Sequence, residues 1–204
     1  MGVAERRARE KHDLRQSILH AASEMLIQEG YEGVSIRKIA EKIEYSPATI
    51  YLHFKDKAQL IGSICEEVFS RLNAALAEIN ERVEPPREKM HKSLCRYVEF
   101  ALENAAHYVV IFCLPDPAPE QIGTETYDNN HHAGMACFDR LRKGVIECME
   151  SGAFRRQDPE LVSQSVWVMV HGIASALITK TSFPFVDRQL LVEKSVNTIL
   201  AGLA

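Results

Sequence analysis

The 204-residue chain contains no CxxC pair, P-loop, HExxH helix, nucleophile elbow or dinucleotide fingerprint, so its sequence advertises none of the common enzyme chemistries. We therefore expect no enzyme activity, no cofactor and no dedicated metal site. Cysteine is sparse and unpaired: Cys65, Cys95, Cys113, Cys137 and Cys148 are odd in number and widely spaced, which fits reduced thiols in a cytoplasm. Most lie on apolar stripes, as small core residues rather than redox sensors. Residues 5 to 15 are charged throughout and hold no apolar core, so no signal peptide is expected there. No stretch alternates apolar and polar residues between turn signals as a strand would, and the fold class is all-α. Positive charge is not in excess either. Lys+Arg number 24 against 28 Asp+Glu, a net charge of −4, which excludes a uniformly basic surface and confines any nucleic-acid contact to a local patch.

What is present concentrates in residues 35 to 60. Ile36, Ile39, Ala40 and Ile43 fall at i, i+3, i+4 and i+7, one apolar stripe on a helix of about two turns. Ser46 and Pro47 then supply an N-cap hydroxyl and the first helical position, where proline is tolerated. A second short helix starts at Pro47, with Ile50 and Phe54 inward and Pro47, Ala48, Thr49, Tyr51 and His53 on its outer face or edges. Asp56 caps a third helix opening at Lys57. Two short helices across a tight turn, presenting small, hydroxylated and cationic side chains, suit hydrogen bonding to phosphates and base edges.

These residues also carry a resemblance. Ser35, Ile36, Arg37, Lys38, Ile39 and Ala40, then Ser46 and Thr49, then Tyr51, Leu52, His53, Phe54, Lys57 and Leu60 resemble the DNA-binding signature of the tetracycline-repressor (TetR) family, over roughly residues 12 to 60. The resemblance implies that the helix from Pro47 enters the major groove. Thr49 and Ala48 would face bases, Ser35, Arg37, Tyr51, His53 and Lys57 phosphates, and Ser46 would cap. One position departs from the family. The turn usually carries glycine where this chain has Glu44, which must accept a positive φ or build a different turn.

Outside this stretch the chain reads as helices. Glu5 to Arg15 is basic and reads as a frayed arm able to reach DNA or simply solvated. Leu14, Ile18, Ala21, Ala22, Met25 and Leu26 repeat at helical spacing, with Gly30 as a stop. After Lys57 a helical period holds for about six turns to Ile79; further helices are expected from about Arg87 to Glu103, around Met135 to Met149, from Pro159 with Asp158 as its N-cap to near Pro184, and after Asp187 as the last cap. Pro115, Pro117 and Pro119 mark a loop. No charge occurs from Leu161 to Thr179, and its serines and His171 favour a helix buried among helices over a membrane span.

The expected organisation is a helix-turn-helix DNA-binding domain over 1–56 and a larger helical effector-binding and dimerisation domain over 57–204. Trp167 and His171-Gly172 resemble a C-terminal subgroup of the same family. By that resemblance the last two long helices, roughly 159 to 180 and 188 to 203, form a four-helix homodimer interface. A ligand pocket would draw on Phe100, His107, Phe112, Met135, Phe138, Trp167 and His171, which pair apolar bulk with a few polar tips. Asp128, His131, His132 and Cys137 could in principle offer metal ligands, but a polar helix start is the better reading. The function implied is a cytoplasmic repressor that binds a near-palindromic double-stranded operator and answers to a small-molecule effector. A constitutive DNA-binding protein without effector, or a helical-bundle enzyme or carrier with a vestigial reader, are the alternatives.

Overall fold

The computed structural model describes residues 2–113 and 124–204, and for residues 3, 4, 110, 113 and 124–133 the backbone alone. The Pro115–Pro119 loop and the side chains of Asp128, His131 and His132 lie outside the described residues. Among the described residues every regular element is helical: α1 (Val3–Gly33), α2 (Ile36–Lys42), α3 (Pro47–Tyr51), α4 (Lys57–Asn80), α5 (Pro86–Glu103), α6 (Ala105–Tyr108), a π-helical turn (Val109–Cys113), α7 (Thr124–Glu150), α8 (Pro159–Thr179) and α9 (Arg188–Leu203).

The chain divides into two compact units, Met1–Val68 with Ala106–His131, and Phe69–Ala105 with His132–Ala204. In the first, Ile18, Ala22, Leu26, Ile39, Ile50, Phe54, Leu60 and Ile64 form one buried cluster, against which Leu14, Tyr31, Ile43 and Ile111 also rest. This is the stripe read from α1, α2 and α4. In the second, α5, α8 and α9 pack against one another in pairs. Met90, Leu94 and Val98 of α5, Val162, Val166, Val170 and Ala174 of α8, and Val192, Val196 and Leu200 of α9 supply its core.

Local start signals act where they were read. Asp56 Oδ1 accepts from the Gln59 amide at 2.8 Å, Asp158 Oδ1 from the Glu160 amide at 2.8 Å, and Asp187 Oδ1 from the Leu190 amide at 2.9 Å. Each satisfies a donor that the first turn leaves without an intrahelical partner.

Three boundaries differ from expectation. Residues 5 to 15 are helical rather than frayed: the charged side chains of residues 5 to 13 project into water from a helix already nucleated by the apolar stripe behind them. Gly30 kinks α1 at φ 70° rather than ending it. Helix α8 stops at Thr179, short of Pro184. The residues between turn on themselves, with the Phe183 amide donating to the Lys180 carbonyl at 3.0 Å.

Candidate nucleic-acid interface

The reader is built from caps. Ser35 Oγ accepts from the Lys38 amide at 3.3 Å and starts α2, which buries Ile36, Ile39 and Ala40 and leaves Arg37 exposed. Its neighbours Lys38 and Lys42 are engaged: the Lys38 ammonium lies 2.6 Å from Glu29 Oε2, and that of Lys42 2.9 Å from Glu24 Oε2. The hydrogen bond from Lys42 holds the Glu24 carboxyl below its usual range.

Helix α2 ends in a paired-bond closure. The Tyr45 amide donates to the Ala40 carbonyl at 2.9 Å and the Glu44 amide to the Glu41 carbonyl at 3.2 Å, with Glu44 at φ 60°. Both bonds and the left-handed residue are those of a Schellman motif. Glu44 therefore takes the left-handed conformation that glycine would take.

Ser46 Oγ then accepts from the Thr49 amide at 3.2 Å and lies 2.9 Å from Thr49 Oγ1. Pro47 and Ala48 are exposed beside it, Thr49 is half-buried, and Ile50 is fully buried, anchoring α3. Tyr51 is 55% exposed, so it points outward rather than into the core.

Two expected phosphate ligands are held more tightly. The Lys57 ammonium donates to the Tyr31 carbonyl at 2.5 Å and sits 3.8 Å from the centre of the Tyr31 ring, and burial lowers its pKa. His53 is half-buried, and its Nδ1 has no hydrogen-bond partner among the described residues. Burial, then Lys11 and Arg15, push its pKa down. Arg15 is turned inward, its guanidinium 4.9 Å from the Phe54 ring centre and donating to Ser63 Oγ at 3.2 Å.

Sequence reasoning gave no contact role to Tyr45 or Leu52, which are exposed at the two ends of α3. Their place directly beside the cap and after Tyr51 was the available signal.

The residues expected in a pocket fall in both units. His107 and Phe112 belong to the first, where the Phe112 ring lies 4.8 Å from that of Tyr108. In the second, the Trp167 and His171 rings are 5.5 Å apart, and His171 Nδ1 is 3.4 Å from the Tyr97 hydroxyl. Tyr97 was not among the residues expected in a pocket. Burial lowers the His171 pKa. Phe100 is buried beneath the guanidiniums of Arg71 and Arg96, at 5.9 and 6.0 Å; Phe138 is half-buried and Met135 exposed.

Comparison with known proteins agrees with both halves. Residues 18–64 match the family described as bacterial regulatory proteins, tetR family, and residues 90–199 match the tetracyclin repressor-like C-terminal domain. The regulator YhgD of Bacillus subtilis is 25% identical over 152 residues, which are 74% of this chain and 77% of that protein. Several other curated relatives are matched over half their length or less. A tetR-family regulatory protein from Rhodococcus RHA1 superposes with a TM-score of 0.80 at 18% identity, covering 93% of this chain and 96% of its own. AibR, in complex with isovaleryl coenzyme A and operator DNA, superposes with a TM-score of 0.71 at 19% identity over 93% and 97%.

Fold and reader together define a helix-turn-helix transcriptional regulator that binds DNA. With a family match spanning more than half its length, the chain belongs to the tetR family.

Proposed function

We propose that the chain is a repressor that grips a near-palindromic operator as a homodimer in the cytoplasm and is released by a small-molecule effector. The observation that carries the DNA half is the Ser46-capped start of α3, with Ala48 and Thr49 at the edge that would meet bases. Ser35, Arg37, Ser46, Pro47, Tyr51, His53 and Lys57 surround it, with Arg37 and Tyr51 the most open to a phosphate. Residues 1–56 would act as the reader and 57–204 as the effector and dimerisation domain.

For the dimer, support comes from α8. It is long and apolar enough to cross a membrane, at mean hydropathy 1.6, yet only 33% of its apolar window is buried within the chain. Leu161, Trp167, Val168 and Met169 of α8 and Leu190 of α9 remain exposed. An apolar face of that extent is covered in a soluble regulator by a second copy. Two readers would then stand about 34 Å apart, one DNA turn.

For the effector, support comes from the Tyr97–His171–Trp167 group, which sets polar tips beside an indole, with Phe100, Phe138 and Met135 of the same unit as further candidates, while His107 and Phe112 belong to the other unit. AibR, with its coenzyme A thioester, is a fold neighbour in which a ligand and DNA occur together. Helix α4 contributes residues to both units in one unbroken helix and is the natural route of coupling, typically worth about 1–3 kcal/mol. The test selects operator fragments from a random library and then titrates effector candidates into the complex. No selected sequence, or a tightly bound ligand that leaves operator affinity unchanged at fixed salt, would refute the respective half.

A further inference from the structure

On the second unit, His91 and Cys95 stand one turn apart on α5, and Glu193 faces them from α9. The Cys95 Sγ is 4.0 Å from His91 Nδ1, and Glu193 Oε2 is 3.3 Å from His91 Nε2. One donor atom from each residue lies within 4.8 Å of the other two. Zinc takes nitrogen, sulfur and oxygen at about 2.0–2.3 Å, so donors of a tetrahedral site stand about 3.3–3.8 Å apart. A closure of about 1 Å is within the reach of a glutamate that is half-exposed and an imidazole free to offer either ring nitrogen.

We infer that His91, Cys95 and Glu193 form a binding site for a borderline divalent cation such as zinc, with three protein ligands and one position open to solvent or a small donor. Three chemical facts favour it. The donors are an imidazole, a thiol and a carboxylate, the set such ions prefer over calcium or magnesium. Glu99 lies close enough to act on the Cys95 thiol electrostatically, adding negative charge beside the site. The two helices already pack together, so the site is largely formed before any ion arrives. Binding forms a metal–sulfur bond, breaks the S–H bond of Cys95 and releases that proton to solvent.

An ion there would fasten α5 to α9. This is independent of the repressor reading, since it requires neither DNA nor an effector.

The test uses the untagged full-length protein, stripped with a chelator and titrated with cobalt(II) as a spectroscopic stand-in for zinc. One equivalent is expected to produce a cobalt–thiolate charge-transfer band that zinc abolishes by displacement. The band disappears in Cys95→Ser and persists in Cys137→Ser. Glu193→Gln, at a half-exposed position that the fold tolerates, weakens zinc affinity by about tenfold or more, as losses even in the outer shell of a metal site do. Zinc raises Tm in the parent protein and not in Cys95→Ser. Absence of the band, its survival in Cys95→Ser, or unchanged zinc affinity in Glu193→Gln overturns the assignment.

Discussion

Glu44 occupies φ 60°, a conformation that costs an ordinary L-residue about 1–2 kcal/mol. Glu44→Gly removes that cost but adds freedom to the unfolded chain, so the expected net gain in stability is about 0.5–1 kcal/mol, read from the urea midpoint at unchanged m-value. His53 gives a second residue-scale effect. Its folded pKa is depressed from 6.5, chiefly by burial. The unfolded chain therefore takes up a proton more readily, and stability is fully present above the unfolded pKa and declines as pH falls through it toward the folded value. His53→Gln should flatten this part of the stability profile as pH falls below about 6.5. A variant profile with the parent's slope would assign the effect to other groups. At the DNA edge, Thr49→Ala is expected to change sequence preference, whereas Arg37→Ala weakens all sequences alike; an operator library scored with both variants separates the two outcomes. Lys57→Ala should likewise weaken every sequence. Because its ammonium also serves the Tyr31 carbonyl, the same change should cost about 1–2 kcal/mol of stability.

Helices show how far local chemistry reaches. Ser46-Pro47, Asp56, Asp158-Pro159 and Asp187 were legible because a cap is a hydrogen bond between neighbours in sequence, and each one starts its helix as read. The apolar stripes of α1, α2 and α4 were legible for the same reason, since helical period maps directly onto burial. The start of α1 was not, because Glu5 to Arg15 offers no apolar period to read. Contacts between distant segments were also hidden. Nothing in the order of residues announces that Lys57 meets the Tyr31 carbonyl, that Tyr97 meets His171, or that Glu193 meets His91. Helix α8 was read as buried on more than one side, and one chain buries only part of it. Two substitutions test what covers the rest. Val168, 59% exposed, should as Val168→Glu shift sedimentation toward the monomer. At Gly172 an added methyl meets nothing within 4 Å in the single chain, so Gly172→Ala should strengthen α8 by about 1 kcal/mol. Loss of dimer affinity on the same change would instead locate a close approach of the second copy at that glycine.

For the whole molecule, charge sets the terms of DNA binding. Residues 1 to 60 hold ten Lys+Arg and nine Asp+Glu, and the rest of the chain carries the net negative balance. Within the reader, Lys38 and Lys42 are matched to glutamates, so few cations remain for phosphates. Affinity should still fall with salt, with a logarithmic slope of about −0.9 for each phosphate neutralised. Arg37→Ala, counted once in each subunit of a dimer, should therefore reduce that slope by about 2; an unchanged slope would mean that Arg37 touches no phosphate.

Trp167 is the only tryptophan in the chain, 38% exposed on α8 and 5.5 Å from the His171 ring. Its uniqueness turns the outer face of α8 into an intrinsic optical probe, since all indole emission from the protein originates there. Covering that face should shift the emission to the blue, dilution of the assembled protein should return it toward the red, and Val168→Glu should hold it at the red end at every concentration. The neighbouring imidazole adds a second signal, because a protonated ring quenches indole light that a neutral one leaves intact.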